Sequence, residues 1–312
     1  MPSDTSSSAA LPHDPLWPRS SEWLGPARSD LGVERFDVAV IGVPTWRTSI
    51  SPTGAGATPD AIRSALARYS TYAHGLDLAS LRAVDVGNID DPDGDDGEQR
   101  VRDALAALRG RAELVIALGG DNSATFSVAL GAYGDGLASG GLVTLDAHHD
   151  VRDGVSNGSP VRRLVEAGLD PRRVAQVGIS DFANSPAYAQ RVRDHGITVI
   201  GRSDVAEKGI EDAVARALDV AGSAGGSIHV DIDVDVCDRS VAPGCPASVP
   251  GGITADELRR AAFVVGRDHR VGSVDIVEVD AAADTPDGRT VRLAALCVLE
   301  VSAGLASRPA AV

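Results

Sequence analysis

The chain has 312 residues, 43% of them hydrophobic, and a formal net charge of −15. That length and apolar content allow a substantial core, while the acidity argues against nucleic acid or an anionic membrane surface as a partner. No apolar run reaches membrane-spanning length, the N-terminus lacks a signal peptide's basic start and apolar centre, and Cys237, Cys245 and Cys297 show no metal-type spacing, so a cytoplasmic protein with reduced thiols is expected.

Residues 1–25 begin rich in Ser, Pro and Ala and are expected to form a mobile tail, its end pinned by Trp17 and Trp23 to the body or to a neighbouring subunit. The remainder, 26–312, is expected to be a single α/β domain. Strand-like runs follow at Phe36–Val43, Leu81–Val86, Glu113–Leu118, Gly141–Leu145, Val174–Ile179, Ile197–Ile200, Ile228–Val234 and Val274–Val279. Between most of them lie helical patterns. Thr58 and Pro59 form an N-cap and N1 pair that opens a helix to about Tyr72, and Gly110 suits the C′ position of a helix over Gly97–Arg109. Further helices are predicted over Ser123–Leu130, Pro160–Ala167, Pro186–Asp194, Glu211–Val220, Thr254–Val265 and Val291–Leu305.

This alternation predicts a mostly parallel sheet with helices on its faces. Right-handed crossovers put every strand's C-terminal end on one edge, where ligands bind in such folds. A (β/α)8 barrel shares that edge. The long segment from Ile89 to Gly97 and the insert from Val151 to Pro160 break a barrel's even rhythm, so an open sheet is expected.

The chemistry-bearing residues fall on that edge. Asp121 and Asn122 follow the third run, Asp146 to Asp150 the fourth, Asp233 to Asp238 the seventh and Glu278 the eighth. Side chains at i, i+2 and i+4 of an extended segment share a face, so Asp146, His148 and Asp150 converge, as do Asp233 and Asp235. Carboxylates gathered around one or two imidazoles repel one another unless a cation sits among them, and a divalent metal or a pair is the natural counterion. Solvated acidic loops have no need of the alternation. His149 points to the opposite face from His148 and reads as structural. Asp231 shares the face of Asp233 and Asp235 deeper in the strand, with no role evident. Cys237 and Cys245 have no neighbouring base, so no nucleophilic role is expected.

Gly119-Gly-Asp-Asn-Ser123, Asp146-Ala-His-His-Asp150, Asp233-Val-Asp-Val-Cys-Asp238, Ala242-Pro-Gly-Cys-Pro246, Pro250-Gly-Gly252 and Val277-Glu-Val279 stand in ureohydrolase order. From about Phe36 to Leu305 the chain resembles the arginase/agmatinase/formimidoylglutamase family. The resemblance implies a three-layer α/β/α fold around an eight-stranded, mostly parallel sheet, a homotrimer or homohexamer, and a binuclear Mn2+ site. Matched position by position, it implies that Asp146 and Asp233 bridge the two ions, that His148 and Asp235 complete one site, and that Asp150 and Asn122 complete the other. Glu278 would contact the amidine or guanidine group of a small-molecule substrate. Divalent ions about 3.5–4 Å apart lower the pKa of water and make the hydroxide that attacks a C=N carbon. An oxygen-rich set with few imidazoles suits Mn2+ better than zinc. Asp150 is the expected proton shuttle to the departing amine.

The family usually has histidine at the position of Asn122. Asparagine is a weaker, uncharged ligand, so one metal site is expected to be weak. A working enzyme with a weak second ion, a mononuclear enzyme and a non-catalytic relative with a decayed site all stay open at this point. The loop after Asp150 departs from the His-Gly pair usual in arginase-like and agmatinase-like members and reads Asn157-Gly158-Ser159-Pro160. Its start at Asp150-Val-Arg152, its ending over Ser156–Pro160, Asn184-Ser185-Pro186 and Asp287-Gly-Arg-Thr290 are similar to formimidoylglutamases. N-formimidoyl-glutamate carries two carboxylates beside a cationic formimidoyl group, and guanidinium groups hold carboxylates bidentately. Arg152 is the first candidate, with Ser156, Asn157 and Glu278 as the other expected substrate contacts. Arg162 and Arg289 are weaker candidates, and pairing of Arg152 with Asp153 is the plain alternative. The expected reaction converts N-formimidoyl-L-glutamate and water to L-glutamate and formamide. The alternative is a guanidino acid that releases urea.

Overall fold

Apolar residues on both faces of a strand require cover on both sides, and the strand segments here are of that kind. The structure, a computed structural model, describes residues 14–309. Its main strands are β1 (Phe36–Val43), β2 (Ala83–Asn88), β3 (Ala112–Gly119), β4 (Gly141–Leu145), β5 (Val174–Ile179), β6 (Thr198–Gly201), β7 (Ile228–Asp233) and β8 (Val271–Val277). They form one eight-stranded sheet in the order β2-β1-β3-β8-β7-β4-β5-β6, every neighbouring pair parallel. The helices are α1 (Ser20–Leu24), α2 (Thr58–Leu66), α3 (Gly97–Leu108), α4 (Ala124–Tyr133), α5 (Pro160–Ala167), α6 (Pro186–His195), α7 (Arg202–Lys208), α8 (Ile210–Ala221), α9 (Ala255–Arg267) and α10 (Arg289–Ala306).

Alternation along β1 shows how the layers are built. Val38 and Val40 join one core with Leu66 of α2, Leu218 of α8, Leu258 of α9 and Val298 of α10. Ala39 and Ile41 face the other way, onto Leu105 of α3 and Val128 of α4. Further along that second face, Ala129, Leu164 and Val192 of α4, α5 and α6 enclose Leu142 and Val174. The second face thus carries two separate apolar clusters. Between them β7 and β8 present His229, Asp231, Ser273 and Asp275, all buried, while Val230, Ile232, Val274 and Ile276 fill the first face. His229 Nδ1 lies 2.8 Å from Ser273 Oγ and its Nε2 lies 3.1 Å from Asp275 Oδ2. Asp231 is in register with Asp275, and each keeps one oxygen without a partner. Burial, then the charge of Asp275, raises the Asp231 carboxyl well above its ordinary value. This polar seam runs up the sheet to the ends of β7 and β8.

The predicted strands match within three residues at each end, and β1, β4 and β5 match throughout. Gly110 sits just past α3 with φ 70°, as its C′ reading required. The helix opening at Thr58 stops at Leu66, short of Tyr72, because Ser70 pairs with Arg19 and the chain then turns through a hairpin, Tyr72–Ala73 against Leu76–Asp77. Its central residues, His74 and Gly75, both have positive φ, as a two-residue hairpin of matching twist requires. α1 and α7 went unpredicted, being too short to show a helical period. The tail residues 1–13 lie outside the described residues. From there the chain approaches the body, where Trp23 Nε1 donates to the Leu81 carbonyl at 3.2 Å.

Thr58 does not cap α2 with its side chain. Its hydroxyl donates to the Val279 carbonyl and accepts from the Ala281 N–H at 3.2 Å, fastening α2 to the segment that follows Glu278. Thr58→Val keeps the shape and strands the buried Val279 carbonyl and the half-buried Ala281 N–H. It is expected to lower stability by about 1–3 kcal/mol in urea denaturation, and an unchanged midpoint would refute this role.

Candidate metal centre and substrate cavity

β3, β8, β7 and β4 are the four middle strands of the sheet, although they stand third, eighth, seventh and fourth in the chain. Their C-terminal ends carry Asp121 and Asn122, Glu278, Asp233 and Asp235, and Asp146 to Asp150. Residues more than a hundred positions apart therefore meet along one short rim, as ligand sites of open α/β sheets do.

Two groups of ligating atoms form there, Asp146 with His148 and Asp235, and Asp146 with Asp150 and Asp233. In each, the atoms lie within 4.8 Å of one another. Asp146 belongs to both. Its Oδ1 accepts the His148 N–H at 2.6 Å, while its Oδ2 is buried without any partner. His148 Nδ1 lies 3.0 Å from Asp235 Oδ2. Asp233 Oδ1 accepts the Asp235 N–H at 2.8 Å. Asp150 and Glu278 both hold positive φ, 52° and 63°, a conformation uncommon outside glycine. That two of the site's acids adopt it marks a backbone bent to aim side chains inward.

Crowded carboxyls resist ionising together. Burial, then the charge of Asp235, pushes Asp146 up to about 7, and burial with Asp235 and Asp121 pushes Glu278 up to about 8. Asp150 and Asp233 are raised well above the ordinary range, chiefly by burial and then by neighbouring acids. Burial opposes the charge on His148, yet Asp235 and Asp146 outweigh it and raise the imidazole to about 12. For Asp235 burial is likewise overcome, by His148, and its pKa falls. A carboxylate shared by two oxygen-rich ligand groups, with one of its oxygens orphaned, fits a hard divalent cation, and the donor set fits Mn2+.

Asn122 sits against this cluster with its amide nitrogen toward it and its amide oxygen turned away. Its Nδ2 donates to Asp150 Oδ2 at 2.7 Å, its Oδ1 accepts from Thr125 Oγ1 at 2.6 Å, and its backbone N–H donates to Glu278 Oε2 at 2.9 Å. Asn157 Nδ2 donates to both Glu278 oxygens, at 3.0 and 3.1 Å. His149 Nδ1 lies 2.7 Å from Gln176 Oε1, and its N–H donates to Asn184 Oδ1, contacts that tie the ligand segment to β5 and the loop beyond it.

Above the cluster opens a cavity of about 290 Å3, with His148, Asp150, Asp233, Asp235 and Glu278 among its lining and Arg152, Asn157 and Gly158 on its wall. Arg152 makes no ion pair among the described residues. Asp153 is taken by Arg191 at 2.8 Å, so the plain alternative for Arg152 does not occur. Arg162 instead braces the loop, donating from Nε to the Arg152 carbonyl at 2.6 Å, and Arg289 pairs with Asp287 away from the cavity. Ser156 does not line the cavity, its backbone being closed on Ser159. Cys237 and Cys245 are buried and their thiols pushed well up by burial, which suits neither as a nucleophile. The walls hold Asn184 and Ser185 of the Asn184-Ser185-Pro186 motif, and also residues that the motifs did not disclose, namely Ile50, Ser51 and Tyr188. Their position just beyond β1 and β5, on the same edge, was the available signal.

Residues 36–303 match the arginase family. The chain belongs to it. Among arginase-family relatives, the chain is 36% identical over 283 residues to the formimidoylglutamase of Halalkalibacterium halodurans, covering 85% of this chain and 86% of that one. The crystal structure of the Bacillus subtilis formimidoylglutamase superposes with a TM-score of 0.89 at 31% identity, covering 97% of this chain and 96% of that one. A Trypanosoma cruzi formiminoglutamase solved with Mn2+ superposes with a TM-score of 0.84 at 25% identity, covering 94% and 100%. The arginase-family fold, a three-layer arrangement around an eight-stranded parallel sheet, is the one expected from the sequence.

A carboxyl with a raised folded-state pKa binds its proton more tightly in the folded chain, so its contribution to stability is present at low pH and lost as pH climbs through the raised value. For Asp146 and Glu278 that loss runs from the ordinary values of 3.8 and 4.5 up to about 7 and about 8, and the raised His148 adds to it in the same direction. Chelator-treated protein is therefore expected to melt lower at about pH 8 than at about pH 5.5, with Mn2+ giving its largest increase at the higher pH. Calorimetry at the two pH values measures this. A metal-free melting temperature that rises with pH contradicts it.

Proposed function

We propose that this chain hydrolyses N-formimidoyl-L-glutamate to L-glutamate and formamide. The observation that carries the reading is the polarity of the cavity, with an acidic floor and, on the wall, an arginine that no carboxylate of the described residues engages. A substrate with a cationic amidinium at one end and carboxylates at the other matches that gradient. Agmatine, with an amine in place of carboxylates, meets a like charge at Arg152.

Asp146 and Asp233 would be shared between two manganese ions, with His148 and Asp235 on one and Asp150 with Asn122 on the other. Asn122 would have to release Thr125 to offer its oxygen, so the second ion is the weaker bound. When bound, the ions supply Lewis acidity, lowering the pKa of water so that it attacks at neutral pH. Glu278 holds the amidinium, and Asn157 and the Asn122 N–H fix the orientation of its carboxylate. The arriving cation favours the ionised form of Glu278. Asp150 takes the proton given up by the attacking water and passes it to the departing amine nitrogen. Arg152 grips a carboxylate and so sets the distance at which the amidine carbon meets the floor. A homo-oligomer in the cytoplasm completes the proposal. No helix among the described residues is long and apolar enough to cross a membrane.

The test is to supply N-formimidoyl-L-glutamate and 4-guanidinobutyrate separately with added Mn2+ and to score formamide and urea. Formamide from the first is expected. Urea from the second with no formamide from the first would overturn the substrate, and no turnover of any amidine at saturating Mn2+ would overturn the enzyme. Arg152→Ala is expected to raise KM for the dicarboxylate by about 10–100-fold, and an unchanged KM would remove Arg152 from the site.

A further inference from the structure

Gly158 stands on the cavity wall beside Arg152. Its φ is not left-handed, so the backbone alone does not demand glycine there. Space does. A Cβ at this position would lie 2.7 Å from Arg152 Cδ, 3.1 Å from Arg152 Nε and 3.1 Å from Ile50 Cδ1. The Gly158 carbonyl accepts the Arg152 N–H at 2.9 Å, so the same residue anchors the arginine's backbone and leaves room for its side chain. Ile50 closes that trough on another side, its own N–H held by Asn157 Oδ1 at 3.0 Å. The guanidinium carbon lies 6.0 Å from the centre of the Tyr188 ring.

We propose that Gly158 is a specificity-determining position, whose missing side chain forms the trough in which Arg152 lies and thereby aims the guanidinium at the substrate's carboxylate. This rests on Arg152 being the carboxylate's partner. The atoms nearest a methyl group at 158 belong to the side chains of Arg152 and Ile50, so the arginine swings aside while the fold persists. A guanidinium displaced by about an ångström loses bidentate geometry and most of its grip. None of the three atoms nearest that methyl belongs to a metal ligand or to Glu278.

The experiment compares Gly158→Ala, Arg152→Ala and the double variant, each loaded with Mn2+, on N-formimidoyl-L-glutamate and on N-propylformamidine, which has no carboxylate. Gly158→Ala is expected to raise KM for the dicarboxylate about 5–20-fold with kcat within about twofold. It is expected to leave kcat/KM for the carboxylate-free amidine unchanged and to add nothing in the Arg152→Ala background, since residues acting through one contact are not additive. If Arg152→Ala raises KM and Gly158→Ala does not, the inference on Gly158 fails and the reading of Arg152 stands. If Arg152→Ala has no effect, that reading itself fails. Equal losses on both substrates, or additive losses in the double variant, also overturn the inference, because glycine would then serve the floor of the site. Should Gly158→Ala not fold, Ile50→Phe, at a half-exposed position, narrows the trough from another side. The same rise confined to KM is expected, and an unchanged KM overturns the inference.

Discussion

Repulsion among Asp146, Asp150, Asp233, Asp235 and Glu278, all buried at one rim with a single imidazole among them, sets the terms for everything above the sheet. Two unit charges about 4 Å apart in a protein setting differ from neutrality by about 4 kcal/mol, so five acids cannot share such a space fully ionised without positive charge between them. Protons, His148 and a few N–H donors hold the cluster together. Each acid is fixed by a strand end or by a backbone bend, so it cannot relieve the strain by turning to solvent. A rim of this kind is preorganised for divalent cations in a way that a flexible acidic loop is not.

The cavity adds a second polarity to the first. Its floor attracts cations and one part of its wall attracts anions, and the loop after Asp150 creates the contrast by leading from a floor acid to Arg152 in two residues. Asn157, further along that loop, returns to the floor and holds Glu278. One loop therefore positions both the group that grips the amidinium and the group that grips the far end of the substrate.

Much of this was legible in the sequence because strands declare themselves by period and by apolar runs, and because parallel connection puts their ends on one edge. The alternation in Asp146, His148 and Asp150 was enough to bring those residues together. Other features were not legible. Which strands are neighbours depends on the order of the sheet, so the placing of Ile50 and Tyr188 beside the site could not be read from spacing. Ser156 was drawn in by its neighbours in the loop, whereas its backbone is closed on Ser159. The orientation of Asn122 follows from Thr125 and Asp150 competing for the two ends of one amide, a matter of local geometry. Short elements such as α1 and α7 have too few residues to carry a period at all.

The buried run of His229, Asp231, Ser273 and Asp275 has a meaning beyond its own hydrogen bonds. A slip of β7 by one residue would turn His229 and Asp231 toward the aliphatic layer and set Val230 and Ile232 against Ser273 and Asp275, so that slip is heavily penalised. Strand alignment in the centre of the molecule is thereby locked by groups that never meet a ligand. Because Asp233 sits opposite Val277, one step before Glu278, that lock also sets how far apart the acids of the floor stand.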